Sequence, residues 1–183
     1  MNYYEKTIKS ERLYEGAIFD MEKLTVELPN GKIAYRDVIR NPGASVIVPL
    51  TDDGYVIMVK QFRKPIEAVS LEVPAGKMDP GEDPLQCAQR ELKEETGYTA
   101  EKFKKILTLH PAPAFADEAL HVFVAKGLSK GEASPDEDEF IHAFKYKLDD
   151  VIQLIQDGVI RDSKTIASIL FTARLLETGG LDF

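Results

Sequence analysis

Between Asp83 and Gly97 the chain spells a short helix with three glutamates on one side, and few architectures can seat such an element. Asp83 offers an N-cap acid, Pro84 a proline in the first helical position and Gln86 a residue three beyond the cap, which together form a helix-start signature. The helix is expected to stop at Gly97, which suits a left-handed C-cap. Leu85, Ala88 and Leu92 recur at helical spacing and make the predicted buried stripe. Glu91, Glu94 and Glu95 fall at i, i+3 and i+4, within an arc of roughly 100°. Like charges so placed weaken an isolated helix and call for a compensating cation, and hard oxygen donors suit magnesium or manganese. On the helix alone, with Arg90 and Lys93 nearby, a solvated acidic face is the simpler reading.

The rest of the composition narrows the classes. Thirty-one acidic against 23 basic side chains give 183 residues a formal charge of -8, which opposes attraction to a polyphosphate backbone, so nucleic acid is not an expected partner. An anionic ligand would need local compensation by clustered Arg and Lys or by cations held on the surplus carboxylates. A single cysteine, Cys87, excludes an intramolecular disulfide and a thiolate zinc cluster; four residues before Glu91, it is expected as a small buried filler of the helix, the alternative being an approach to the glutamate face. The polar start Met-Asn-Tyr-Tyr-Glu-Lys is unlike a secretory signal, and no run approaches the ~18 apolar residues of a membrane span. A cytoplasmic protein with no membrane partner is the default expectation.

Residues 1–42 read as a small antiparallel unit: Leu24 to Leu28 and Ile33 to Val38 flank a Pro-Asn-Gly-Lys turn. So small a sheet needs another surface to pack on, and a second subunit would supply one. Residues 43–183 form the main domain. Ser45 to Pro49 and Tyr55 to Gln61 read as a second hairpin around Asp52-Asp53-Gly54. Pro74 to Glu82 is too rich in Gly and Pro for a regular element and is expected as a loop. Strands follow at Lys105 to Leu109, Leu120 to Val124 and Ile141 to Tyr146, with an acidic surface loop at Gly131 to Glu139. Helices at Leu148 to Gln156 and about Ser163 to Glu177 close the chain, the second with Ile166, Ile169, Leu170, Ala173 and Leu176 as its apolar face. Mixed strands and helices give an α/β or α+β sandwich.

The loop before the glutamate helix changes its meaning. From Gly76 the order is glycine, five residues, Glu82, seven residues, Arg90-Glu91, an aliphatic Leu92, one residue, Glu94-Glu95, one residue and Gly97. Seven identities at fixed offsets arise by accident roughly once in a hundred million starts at average residue frequencies. This resembles the signature box of the Nudix hydrolases, departing from it at Tyr98, where an aliphatic packing residue is usual. The resemblance implies an α/β fold, the Nudix α-β-α sandwich with a mixed sheet, plus the small N-terminal antiparallel unit. It also implies that Glu91 and Glu95 ligate divalent metal with help from Glu94 and the Ala75 carbonyl. Glu82 and Arg90 correspond to the salt bridge that braces loop against helix.

Two further stretches resemble the ADP-ribose pyrophosphatase subgroup. Pro113 stands sixteen residues after Gly97 in His110-Pro111-Ala112-Pro113-Ala114-Phe115-Ala116-Asp117-Glu118, with Ala114 where the subgroup has Gly; were positive φ needed there, Ala would be costly. Gln61-Phe62-Arg63 is similar to the subgroup's Gln-Tyr-Arg, in which Arg meets the substrate phosphates. The resemblance implies hydrolysis of ADP-ribose to AMP and ribose 5-phosphate with Mg2+, or Mn2+ in its place, by a homodimer joined through the N-terminal unit. Pro113 and Glu118 belong to the implied substrate site. In the acidic loop Glu139 corresponds to a late metal ligand and Glu137 to the catalytic base, or Asp138 if the loop shifts by one. Tyr14, Phe19 and Tyr35 are candidates to hold adenine, although such aromatics ordinarily pack in cores. GDP-mannose or another nucleotide sugar is the alternative substrate. A non-catalytic ADP-ribose-sensing module is the alternative from another class, and the intact glutamates speak against it.

Overall fold

The structure, a computed structural model, describes residues 2–134 and 140–183. The chain divides into two compact units, one running to Gly43 and including His110–Ala119, the other made of Ala44–Leu109 and Leu120–Phe183.

The first unit is an antiparallel sheet in the order β1 (Lys6–Glu15), β2 (Asp20–Glu27), β3 (Ile33–Arg40). The Asn-Gly turn forms as its sequence predicts, with Gly31 at φ +79° and its N–H donating to the Leu28 carbonyl. β1 was not legible, because its ten residues are exposed without exception and so carry no alternation to read. The His110–Ala119 segment lies along β3: the Ile39 N–H donates to the Phe115 carbonyl and the Asp117 N–H to that of Ile39.

The second unit has two sheets. One is mixed, in the order β7 (Ala75–Lys77), β4 (Ala44–Pro49), β9 (Leu120–Lys130), β8 (Tyr98–Leu109), with β4 and β9 parallel. The other runs β10 (His142–Lys147), β5 (Tyr55–Arg63), β6 (Ala68–Glu72), all antiparallel. Alternation along β4 and β9 sets the layers. Ile47, Phe123 and Ala125 face α1 (Pro84–Thr96) through Ala88 and Leu92, whereas Val46, Val48, Val122 and Val124 share a core with Val151 of α2 (Leu148–Gln156) and Ile169 of α3 (Ser163–Glu177). A sheet with helices on both faces is the expected α-β-α sandwich.

Four expectations need correction. The Ser45 to Gln61 hairpin does not form a ladder: β4 and β5 belong to different sheets and keep only the Leu50–Val56 bridge, because each is buried and finds two other partners. Ala75–Lys77, expected as loop, is a short strand paired with β4. Leu85 is 38% exposed, and Cys87 takes the buried position beside Ala88 and Leu92. In α3 the buried face runs through Thr165, Ser168, Ile169 and Thr172, with Leu170 and Leu176 outside; small polar residues let that helix approach the sheet, a choice that apolar periodicity cannot register.

Gly97 closes α1 at φ +73°, and a Cβ there would lie 2.7 Å from the Ala133 amide nitrogen. Gly97→Ala is expected to destabilise the protein by at least about 1 kcal/mol, combining left-handed strain with a backbone collision; equilibrium denaturation in urea checks this.

Candidate active site

Strand β6 delivers the chain through Glu72-Val73-Pro74 into β7, and a turn then leads to the start of α1. Asp83 caps that helix as its sequence predicts, its carboxylate accepting from the Leu85 N–H at 2.8 Å. The loop and helix are joined by one guanidinium. Arg90 grips Glu82 with a fork, Nε to Oε1 and Nη2 to Oε2, both 2.9 Å, and donates from Nη2 to the Lys77 carbonyl at 3.1 Å. Its Nη1 reaches Glu91 at 2.6 Å and Glu94 at 3.0 Å. These bonds hold the Glu82 carboxyl down at about 2 and push the Arg90 guanidinium up. Part of the positive charge that the three glutamates require is thus internal to the protein.

Glu95 is buried and accepts from the Ala75 N–H at 3.0 Å, so α1 grips the loop at a second point. Glu91 lies flat against Gly76: a Cβ on that glycine would sit 1.8 Å from the Glu91 carboxyl carbon. The glycine therefore leaves a cradle that the Glu91 carboxylate fills. Among the described residues no three acidic, histidine or cysteine side chains converge as a closed cage, and Arg90 Nη1 is bonded to both Glu91 and Glu94. Magnesium does not need such a cage, because it binds through one or two carboxylates and completes its shell with water and substrate phosphate. The hard carboxylate oxygens of Glu91 and Glu95 beside the Gly76 cradle suit such an ion.

Arg63, predicted at a strand end, closes β5 and is bonded within the protein. Its Nε and Nη2 form a fork on Glu72 at 2.9 and 2.7 Å. Glu72 is nearly wholly buried and also accepts from Lys164, which donates in turn to Asp162, the N-cap of α3, at 2.9 Å. Burial would raise the Glu72 carboxyl, but Arg63 and Lys164 outweigh it and lower it to about 2. Arg63, Glu72 and Lys164 line a cavity of about 750 Å³ together with Ile66, Val69 and Arg161. Sequence reading missed Glu72 and Lys164. An acid inside Val-Ser-Leu-Glu-Val is a weak signal of a buried charge, and its lysine partner is 92 residues away.

The remaining candidates lie in the first unit. Pro113 lines a cavity of about 620 Å³ with Leu24, Val26, Val38, Phe115 and Asp117. Asp117 is fixed there by Arg40 at 3.0 Å and by the Asn41 N–H at 2.9 Å, and the Glu118 carbonyl lies 3.0 Å from His110 Nδ1. Ala114 has no positive φ, so replacing the subgroup's glycine carries no backbone strain. Tyr14 and Phe19 pack together at 5.7 Å between ring centroids, and Tyr35 lies under Lys23. All three are exposed rather than core. Glu137 and Glu139 fall outside the described residues.

Two outcomes follow for this site. Gly76→Ala is expected to evict the Glu91 carboxylate from its cradle and weaken divalent-cation binding by about 10-fold or more, read by titration calorimetry with Mn2+. Glu72 contributes stability that is fully present above its ordinary 4.5 and lost as pH falls toward about 2, on the order of 3 kcal/mol. Acid unfolding of Glu72→Gln should therefore be markedly flatter between those two pH values than that of the unmodified protein.

Residues 40–169 match the NUDIX domain, and residues 5–42 match the nucleoside diphosphate sugar hydrolase N-terminal domain. The chain is 46% identical over 169 residues to the ADP-ribose pyrophosphatase of Bacillus subtilis (strain 168), covering 91% of each. It is 43% identical over 171 residues to the methanol dehydrogenase activator of Bacillus methanolicus, covering 92% of each. A crystal structure of an ADP compounds hydrolase shares the fold with a TM-score of 0.84 at 23% identity, over 96% of both chains. With the signature box, its Arg90–Glu82 brace and a family match over most of its length, the chain belongs to the Nudix hydrolases.

Proposed function

We propose that this Nudix enzyme hydrolyses the pyrophosphate of ADP-ribose, giving AMP and ribose 5-phosphate. The observation that carries the reading is the pairing of Glu91 in the Gly76 cradle with buried Glu95 on the same helix face, in a chain whose close relative in Bacillus subtilis is an ADP-ribose pyrophosphatase. Glu91 and Glu95, helped by the Ala75 carbonyl, are the residues that would hold Mg2+, or Mn2+ in its place. Such a cation supplies charge neutralisation of the diphosphate and polarisation of the phosphorus under attack. Arg90 and Glu82 keep Glu91 and Glu94 oriented, as outer partners of ligands do. Arg63 binds diphosphate oxygens. Glu137 takes the proton of the attacking water and Glu139 completes the ligand set, roles that follow from the resemblance of the acidic loop to that of the ADP-ribose pyrophosphatase subgroup.

The substrate's adenosine is held by Tyr14, Phe19 or Tyr35, with Pro113 and Glu118, in a homodimer assembled through the N-terminal unit. Ile8, Leu13, Ile18 and Ile33 of that unit are each about half exposed or more, apolar surface that a second subunit would cover. No helix among the described residues is long and apolar enough to cross a membrane, and we place the enzyme in the cytoplasm.

Product analysis across a nucleotide-sugar panel with magnesium tests the reading. AMP from ADP-ribose should form with the highest kcat/KM, and faster release of GMP from GDP-mannose would replace ADP-ribose as the substrate. Glu95→Gln keeps an acceptor for the Ala75 N–H while removing the charge. It is expected to lower turnover by at least about 100-fold with an unchanged melting transition, and near-normal rates would refute the assignment of Glu95.

A further inference from the structure

The polar bonds around Glu72 form one continuous path. Val73 N–H donates to Thr165 Oγ1 at 3.0 Å, Thr165 Oγ1 donates to Asp162 at 2.6 Å, Lys164 bridges Asp162 and Glu72, and Glu72 holds Arg63. Three residues further along the chain from Glu72, the Ala75 N–H is bonded to Glu95. The start of α3 is thereby tied to the segment that carries the signature loop, and Arg63 is held in register with both. Arg63 spends Nε and Nη2 on Glu72, whereas its Nη1 makes no hydrogen bond among the described residues. The side chain is 40% exposed at the cavity, against 3% for Glu72 and 14% for Lys164.

We propose that Lys164 and Glu72 are positioning residues for substrate binding, fixing the Arg63 guanidinium so that its Nη1 edge is presented to a phosphate of the nucleoside diphosphate. Two physical arguments support this. An unrestrained arginine has many rotamers to lose on binding, and a fork already made on the protein removes most of that loss beforehand. Without Lys164, the Arg63 guanidinium with the carboxylates of Glu72 and Asp162 would also form a net-negative group and repel an anion. Lys164 is bonded to both acids and brings the group to neutrality, while Asp162 also accepts from the Thr165 N–H and hydroxyl at the amino end of α3. Neither Lys164 nor Glu72 needs to touch the substrate.

The inference rests on the reading of Arg63 as a diphosphate ligand, and a double-mutant cycle tests it apart from the identity of the substrate. The variants are Lys164→Met, Arg63→Ala and the combination. Each is assayed for binding of α,β-methylene-ADP by calorimetry and for kcat and KM on the best substrate of the panel. Lys164→Met should raise Kd and KM by about 10-fold with a much smaller change in kcat, and should add almost nothing in the Arg63→Ala background, because it acts through that side chain. Lys164→Arg should recover most of the loss. Additive effects, an unchanged Kd in Lys164→Met, or an unchanged Kd in Arg63→Ala would each overturn the proposal. Should Lys164→Met fail to fold, Lys164→Gln, which keeps a donor for Glu72 without the charge, takes its place in the cycle. Failure of the functional reading would show separately, as absent ADP-ribose turnover by the unmodified enzyme.

Discussion

Three carboxylates on one turn and a half of helix repel one another, and the way this protein holds them apart governs the site. Arg90 shares its five donors among Glu82, Glu91, Glu94 and the Lys77 carbonyl, so a single side chain sets the spacing of the acids and the path of the loop at once. A lysine could not do this, because a point charge lacks the planar fork that addresses several acceptors in fixed directions. The loop contributes from its own side: glycine at 76 leaves room for the Glu91 carboxylate, and the Ala75 amide anchors Glu95. The strand-like pairing of Ala75–Lys77 with β4 gives this loop a rigid backing that its composition conceals.

Much of this was legible in the sequence, and the reasons are local. Caps, helical spacing and the i, i+3, i+4 placement of Glu91, Glu94 and Glu95 act over one or two turns, so α1 follows from neighbouring residues alone. The Arg90–Glu82 brace was legible because both partners belong to one short signature. The pairing of strands was less so. Val46 and Ile47 look alike as letters, yet they face different helices, and whether β4 pairs with β5 or with β9 depends on segments more than seventy residues apart. Apolar periodicity also misjudged α3, where Thr165, Ser168 and Thr172 rather than leucines turn inward.

The ion cluster of Arg63, Glu72 and Lys164 was hidden for a different cause. Nothing near Glu72 announces that it will be buried, and a charge in such a place is tolerable only when its partners are supplied from elsewhere. Removing one partner leaves the others uncompensated, so the cluster behaves as a unit and joins β5, β6 and α3. The N-terminal unit shows the opposite limit. β1 has no buried residue and hence no pattern, and its place in the sheet depends on backbone pairing with β2.

Cys87 sits wholly inside α1 beneath the loop, with its sulfur 3.5 Å from the Gly76 carbonyl. Burial pushes the thiol up to about 11, so almost none of it is thiolate near neutrality, and thiolate is the form that peroxides and alkylating reagents attack. As the chain has no other sulfhydryl, the folded enzyme presents no readily alkylated thiol.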